Sequence, residues 1–170
     1  MIPFLDLKSV NLRDADDFAK TLASTLDSGQ LTLGSALANF ENEFANYCGV
    51  DHCIGVSDGL NALRLVLQAW GIGPGHEVLV PSNTFIATWF AVSQLGALPV
   101  PVEPNPATLN IDPNRIEAAI TDRTRAIIPV HLYGQPAEMA QILAIANKYG
   151  LPVLEDAAQS HGSTYQNRRT

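Results

Sequence analysis

The chain has 170 residues, of which 46% are hydrophobic and 16% are charged, and its formal net charge at pH 7 is -7. This length is typical of a single domain, and the low charged fraction suggests that much of the surface is covered by something else. The acidic balance argues against a nucleic-acid groove, because phosphate contacts require a basic face.

The cysteines and the N-terminal residues together predict a cytoplasmic protein. Cys48 and Cys53, the only cysteines, have no second pair with which to form a zinc site, so we expect two reduced, buried thiols. The N-terminus lacks the basic stretch and the apolar run of a signal peptide. No segment approaches the ~20 apolar residues of a membrane span.

Two amphipathic helices are predicted in the first third of the chain. Apolar residues recur at helical spacing through residues 18–26 and again through residues 37–47. The first helix should end at Gly29 and the second at Gly49, since glycine commonly follows the last helical residue. Ser35 is the expected N-cap of the second helix.

From residue 53 onward, short apolar runs alternate with helical patterns. We predict strands at residues 53–57, 77–81, 98–102, 125–130 and 152–155, and helices at residues 59–70, 84–95, 113–120 and 136–148. Apolar strands separated by helices indicate βαβ units and a mainly parallel sheet covered on both faces. The prolines of the strand at 98–102 favour an edge position or the start of a strand, and Asp112 and Pro113 form an N-cap followed by a first-turn proline.

Polar residues gather directly after the predicted strands. They occupy residues 57–59, 81–84, 131–134 and 155–156. Ligands of such sheets collect at the carboxyl ends of the strands, so we expect the functional site at this edge.

The carboxylates of Glu155 and Asp156 follow a buried strand, where they are costly unless they are paired or hydrogen-bonded. In one interpretation Asp156 is a helix N-cap beside a structural glutamate. In the other, Asp156 faces the protonated nitrogen of a pyridine ring, and the protonated ring then acts as an electron sink. Gln159 would donate its side-chain amide to the phenolate oxygen of the same ring.

Further candidates lie at the other strand ends. Gly59 lets the backbone approach a ligand at the start of a helix, where free N–H groups suit a phosphate, although such junctions are common. Phe85 either stacks on a planar ring or belongs to the core. His131 and Tyr133 either touch a substrate or close the sheet edge. The four histidines are too scattered to predict a metal site.

Six motifs in this order resemble the DegT/StrS family of pyridoxal-phosphate sugar aminotransferases, over essentially the whole chain. They are IPFLDL (2–7), GQLTLG (29–34), SDGLNAL (57–63), PSNTFIAT (81–88), HLYG (131–134) and EDAAQSHG (155–162). The resemblance implies an α/β fold, the three-layer, mainly parallel large domain of the fold-type-I (aspartate aminotransferase-like) scaffold. It implies a truncated form of that domain, because the pattern at residues 163–170 begins a strand and a turn and then stops.

The resemblance also implies roles for single residues. Asp156 would pair with the pyridine nitrogen, Gln159 with the ring oxygen, and Phe85 would stack on the ring. The backbone amides of Gly59 and Leu60 would hold the phosphate, although many members of the family carry threonine in place of Leu60. The substrate contacts would come from His131, Tyr133 and His161, and no metal is expected.

The implied function is amino transfer, with glutamate as the expected donor, to a nucleotide-linked keto sugar, most similar to the thymidine-diphosphate 3-keto-6-deoxyhexoses. The lysine that forms the Schiff base with pyridoxal 5′-phosphate would lie beyond Thr170, so the 170-residue form should be inactive. A histidine at that position would instead indicate a sugar dehydratase of the same family. A non-catalytic remnant or regulatory copy is the third interpretation.

The resemblance further implies a domain division and an assembly. Residues 1–35 would form an N-terminal arm and helix, residues 36–170 an incomplete cofactor-binding large domain, and the C-terminal small domain would be absent. We expect a homodimer at full length, and no nucleic-acid or membrane partner.

Overall fold

The computed structural model describes residues 4–170, which form two compact units. One unit ends at Gly55 and the other spans Val56–Thr170. The motif predicted at residues 2–7 begins outside the described residues. The predicted division at residue 35 separates the N-terminal arm from the large domain of the family, which is a different division from that between the two compact units. It stays a prediction.

The first unit is helical. Its helices are α1 (Leu7–Leu12), α2 (Ala15–Ser28) and α3 (Ser35–Cys48). The two predicted stops are confirmed, since Gly29 and Gly49 follow α2 and α3 in the left-handed conformation. No residue of α1 or α2 is buried within the described chain, and the apolar face of α2 is exposed at Phe18, Leu22 and Leu26.

Two predictions in this region are wrong. Gly34, and not Ser35, is the N-cap of α3, because Gly34 is extended and Ser35 is already the first helical residue. A Cβ at position 34 would lie 2.8 Å from the Cβ of Gln30, so glycine fits there. The segment at residues 53–57 forms no strand with any residue in the range 4–170. Its apolar side chains stay open to solvent instead, with Ile54 80% exposed, because an apolar run becomes a strand only beside a partner strand.

The second unit is built on a parallel sheet of order β2-β1-β3. Its strands are β1 (Glu77–Pro81), β2 (Leu98–Val102) and β3 (Thr124–Ile127), and β2 lies at the edge, as its prolines predict. The predicted fifth strand is reduced to an extended connection. Two isolated parallel bridges join it to β3 and to the residues that follow β3, Ile127 with Val153 and Val130 with Asp156.

Helices cover both faces of this sheet. They are α4 (Gly59–Ala69), α5 (Ile86–Ser93), α6 (Pro113–Ala119) and α7 (Met139–Tyr149). Alternation along β1 separates two cores, because Val78 and Val80 pack with residues of α4 and α5, whereas Leu79 packs with residues of α6 and α7. The second unit therefore has the predicted three layers, helices on sheet on helices.

Boundaries differ from the predictions by a few residues. The helix predicted from residue 136 begins at Met139, because the backbone of Glu138, with ψ of 66°, is not helical. The backbone N–H of Ala137 donates to the ring of His131. The last residues form a short hairpin, β4 (Thr164–Tyr165) and β5 (Arg168–Arg169), around two residues with positive φ. A strand and a turn are therefore confirmed there. Among residues 4–170, no helix combines the length and apolarity that a bilayer crossing requires.

Candidate active site

Asp156 lies at the carboxyl edge of the sheet and is only 8% exposed. Its backbone is fixed on both sides, since its N–H donates to the carbonyl of Pro129 (2.9 Å) and its carbonyl accepts from the N–H of His131 (3.1 Å). The side chain is held as firmly. Oδ2 accepts from the hydroxyl of Thr88 (2.9 Å) and Oδ1 from the N–H of Ala158 (3.2 Å). Both donors are neutral, so these bonds orient the carboxylate without compensating its charge.

The two hydroxyls that lead to Asp156 come from the chain segment after β1. Thr88 lies in α5 and is 1% exposed, and its Oγ1 is 3.0 Å from the Oγ1 of Thr84. Thr88 donates its one hydroxyl proton to Asp156, so its oxygen receives the proton of Thr84. A directed chain, Thr84 to Thr88 to Asp156, therefore crosses the edge of the sheet.

Phe85 sits between these threonines, at the N-cap of α5, and is 70% exposed. Its loop is anchored where the indole N–H of Trp89 donates to the carbonyl of Pro81 (3.0 Å) and where Asn83 donates to the carbonyl of Leu109 (2.9 Å). The structure thus excludes the core interpretation of Phe85. A large exposed aromatic on an anchored loop offers a face on which a flat ring can stack.

Gln159 is also exposed, and its amide has a defined orientation. Its Oε1 accepts from the backbone N–H of Tyr133 (2.9 Å). Because the oxygen is used in this way, Nε2 is the end that can donate to an acceptor on a ligand.

The loop that carries Tyr133 is strained and clamped. Tyr133 has a φ of 56°, which residues other than glycine rarely adopt, and Gly134 follows with a φ of 84°. Asn110, 1% exposed, holds both ends of the loop: its Oδ1 accepts from the N–H of Leu132 (3.0 Å) and its Nδ2 donates to the carbonyl of Gln135 (2.9 Å). Sequence reasoning missed Asn110. The available signal was a polar residue between the apolar Leu109 and Ile111. Such a residue is expected to be buried, and a buried amide needs hydrogen-bond partners.

His131 is fully buried, which argues against its predicted contact with a substrate. Its Nδ1 accepts from the N–H of Ala137 (3.0 Å), so the ring proton is on Nε2, which donates to Oε2 of Glu155 (2.9 Å). Both ring nitrogens are thus occupied, and His131 orients Glu155 instead. The other two candidates for substrate contact, Tyr133 and His161, are exposed.

The predicted phosphate seat at the start of α4 is partly occupied by the chain itself. Oδ1 of Asp58 accepts from the backbone N–H of Asn61 (2.8 Å), and hydrogen bonds from the backbone and then the side chain of Asn61 lower the pKa of Asp58. A Cβ built on Gly59 would meet no atom within 4 Å, so a ligand has room to approach the backbone. A phosphate here would share the first turn with the carboxylate of Asp58.

The described residues of the second unit include one lysine, Lys148, at the C-terminal end of α7. Crossover helices run opposite to their strands, so Lys148 lies towards the amino edge of the sheet, away from Asp156. It is engaged there by the carboxylate of Glu117 (3.0 and 2.9 Å), whose hydrogen bonds raise the pKa of Lys148. This lysine therefore does not serve the carboxyl edge.

The sequence profile of the DegT/DnrJ/EryC1/StrS aminotransferase family matches residues 13–170. The chain belongs to this family. The resemblance that the six motifs indicate is thereby confirmed, and pyridoxal phosphate is confirmed as the cofactor at the level of the family.

Two curated relatives match nearly the whole chain. The dTDP-3-amino-3,4,6-trideoxy-alpha-D-glucose transaminase of Streptomyces venezuelae is 54% identical over 170 residues, 99% of this chain and 44% of its own length. The dTDP-3-amino-3,6-dideoxy-alpha-D-galactopyranose transaminase of Aneurinibacillus thermoaerophilus is 52% identical, over 99% of this chain and 47% of its own. The chain thus spans less than half the length of these relatives.

Solved structures confirm the fold class. The crystal structure of DesV from S. venezuelae in complex with a ketimine intermediate superimposes with a TM-score of 0.96 at 51% identity, over 99% of this chain and 46% of that one. NtdA from Bacillus subtilis with bound pyridoxamine phosphate gives 0.93 at 41% identity, over 96% and 38%. The GDP-4-keto-6-deoxy-D-mannose-3-dehydratase of Escherichia coli with hydrated pyridoxal phosphate gives 0.83 at 31% identity, over 89% and 41%.

Proposed function

We propose that this chain is the N-terminal part of a pyridoxal-phosphate-dependent aminotransferase acting on a nucleotide-linked keto sugar. The observation that carries the proposal is Asp156, a buried carboxylate at the carboxyl edge held by two neutral donors. A buried charge without a compensating charge is costly, and a cationic ring nitrogen supplies that charge. Membership of the family indicates that this ring is the pyridine ring of pyridoxal phosphate.

Each side chain of the edge then has a task. Asp156 would accept a hydrogen bond from the protonated ring nitrogen, and Nε2 of Gln159 would donate one to the phenolate oxygen. Phe85 covers one face of the ring and excludes water from it. The backbone amides of Gly59 and Leu60 would bind the phosphate. The carboxylate of Asp58 would weaken this binding, because it repels the phosphate. When bound, the cofactor supplies an electron sink for charge that develops at the substrate carbon.

The proposed substrate is a thymidine-diphosphate 3-keto-6-deoxyhexose, with glutamate as amino donor. It is supported by the two dTDP-sugar transaminases, which are more than half identical to this chain. Tyr133 and His161, both exposed, are the proposed substrate contacts. We also propose a cytoplasmic homodimer in which residues 1–35 form an arm and residues 36–170 belong to the cofactor-binding large domain. The exposed apolar face of α2 supports the dimer.

A sugar dehydratase is the second candidate, supported by the likeness to the E. coli dehydratase. The two candidates differ in the residue that faces the cofactor carbon, a lysine or a histidine. Within residues 56–170, the structure brings no lysine to the carboxyl edge, so these residues favour neither candidate.

Product analysis separates the candidates. The protein expressed from the complete reading frame is incubated with glutamate and a thymidine-diphosphate 3-keto-6-deoxyhexose, and the product is identified by mass spectrometry. Amino transfer gives an amino sugar and 2-oxoglutarate, whereas dehydration gives a deoxy sugar. If folded protein with added cofactor forms neither product, both candidate functions are refuted. We expect the 170-residue form to produce neither.

A further inference from the structure

Thr88 occupies a position where a hydroxyl is unnecessary for packing. It precedes Ala91 and Val92, both fully buried, by three and four residues, so it lies on the stripe of α5 that faces the first core. Valine has nearly the same shape as threonine and packs well on such a stripe. The hydroxyl of Thr88 therefore needs another explanation than the core.

That explanation lies in its two hydrogen bonds. The hydroxyl of Thr88 donates to Oδ2 of Asp156 (2.9 Å) and is 3.0 Å from the hydroxyl of Thr84. The bond to Asp156 joins positions 68 residues apart, from two different segments at the carboxyl edge. Hydrogen bonds in a directed chain polarise one another, so Thr84 strengthens the bond that Thr88 makes.

We infer that Thr88 is a positioning residue that holds the carboxylate of Asp156 in the rotamer required by a protonated ring nitrogen, with Thr84 as its support. This inference rests on the proposed function. The carboxylate has two anchors, and the amide of Ala158 alone fixes only Oδ1. Without the hydroxyl, Asp156 can rotate about its side-chain torsions, and the bound ring nitrogen must then order it at an entropic cost.

The test compares two probes that differ only at the ring nitrogen. One is pyridoxamine 5′-phosphate, and the other is its analogue with C–H in place of that nitrogen. Dissociation constants are measured by calorimetry on the protein from the complete reading frame, so the readout is independent of turnover. We expect the wild type to prefer the pyridine ring by roughly 10- to 100-fold, the range of one charge-assisted hydrogen bond.

Thr88→Val should lower this preference by roughly 3- to 10-fold, while the affinity for the carbon analogue stays within about twofold. Thr88→Ser keeps the hydroxyl and should retain the wild-type preference. An effect on packing alone would change the affinities for both probes equally. Thr84→Val should give a smaller loss in the same direction, and it carries the test if Thr88→Val does not fold.

The outcomes separate the two proposals. A wild type that binds neither probe, or binds both equally, overturns the proposed function and this inference with it. A wild type that prefers the pyridine ring, with a folded Thr88→Val variant that keeps the full preference, overturns the inference alone. A preference lost in Thr88→Val and kept in Thr88→Ser supports it.

Discussion

The two ends of the sheet each bury one carboxylate, and they treat it differently. At the amino edge, Glu77 is 3% exposed, pairs with the guanidinium of Arg123 and accepts from the hydroxyl of Thr121. At the carboxyl edge, Asp156 receives one hydroxyl and one amide, both neutral. The amino edge contains its own compensating cation, and at the carboxyl edge we propose that a ligand brings one. This difference distinguishes a structural acid from a candidate functional one.

Stability should therefore depend more on Glu77. In Glu77→Gln the charge-assisted bonds to Arg123 and Thr121 weaken, and we expect the free energy of unfolding to fall by about 1.5–3 kcal/mol. Urea denaturation measures the change. Glu138→Gln, an exposed acid before α7, is the control and should stay within about 0.5 kcal/mol. If the free energy of unfolding of Glu77→Gln equals that of the wild type, Glu77 is not the structural acid that this comparison requires.

Asn110 provides a second test, since it is buried and holds the loop at residues 132–135 of the carboxyl edge. Asn110→Ala removes both clamps of the strained loop around Tyr133, and we expect a loss of about 1–3 kcal/mol in the free energy of unfolding. The loss should be accompanied by faster amide exchange at Tyr133, whose N–H donates to Gln159. Asn147→Ala, on the exposed side of α7, is the matched control. Exchange at Tyr133 as slow as in the wild type would show that Asn110 is not the clamp.

The smallest effect concerns the exposed pair of Glu117 and Lys148. Hydrogen bonding to Lys148 lowers the pKa of Glu117 below 4.5, so its contribution is present above 4.5 and lost as pH falls through the folded-state pKa. Hydrogen bonding to Glu117 raises the pKa of Lys148 above 10.5, so that contribution is present below 10.5 and lost as pH rises through the folded-state pKa.

Thermal unfolding of wild type and Lys148→Met from pH 2 to 12 checks this expectation. The difference in melting temperature should be small and constant between about pH 5 and 10, and it should shrink outside that window, because exposed pairs contribute little. If the difference in melting temperature persisted at pH 2, it would come from packing of the aliphatic part of Lys148 and not from the ion pair.

The sequence predicts the layers of the fold better than the details of its edge. Alternation and capping locate each described α-helix of the second unit, because those signals are local. The segment at residues 53–57 reads as a strand, but pairing is a non-local property that no local pattern contains. The same reason applies to His131 and Asn110. Their partners, Glu155 and the loop at residues 132–135, are more than twenty residues away.

The site residues divide in the same way. Asp156, Gln159 and Phe85 are candidates that the sequence predicts from their motifs and from the order of those motifs along one sheet edge. Thr88 lies inside a quoted motif, yet its role depends on a bond to a residue 68 positions away. The carboxylate of Asp58 in the predicted phosphate seat is visible only in the structure.

The most direct test of the account is the affinity of Asp156→Asn for pyridoxamine 5′-phosphate, measured by calorimetry beside Glu77→Gln. The account predicts that Asp156→Asn loses roughly 30-fold or more in affinity, about 2 kcal/mol or more, since the charge-assisted bond to the ring nitrogen is gone. Its free energy of unfolding without ligand should change less than that of Glu77→Gln, whose affinity should be unchanged. An Asp156→Asn protein that binds as tightly as the wild type but unfolds more readily would show that Asp156 is structural, and would contradict the account.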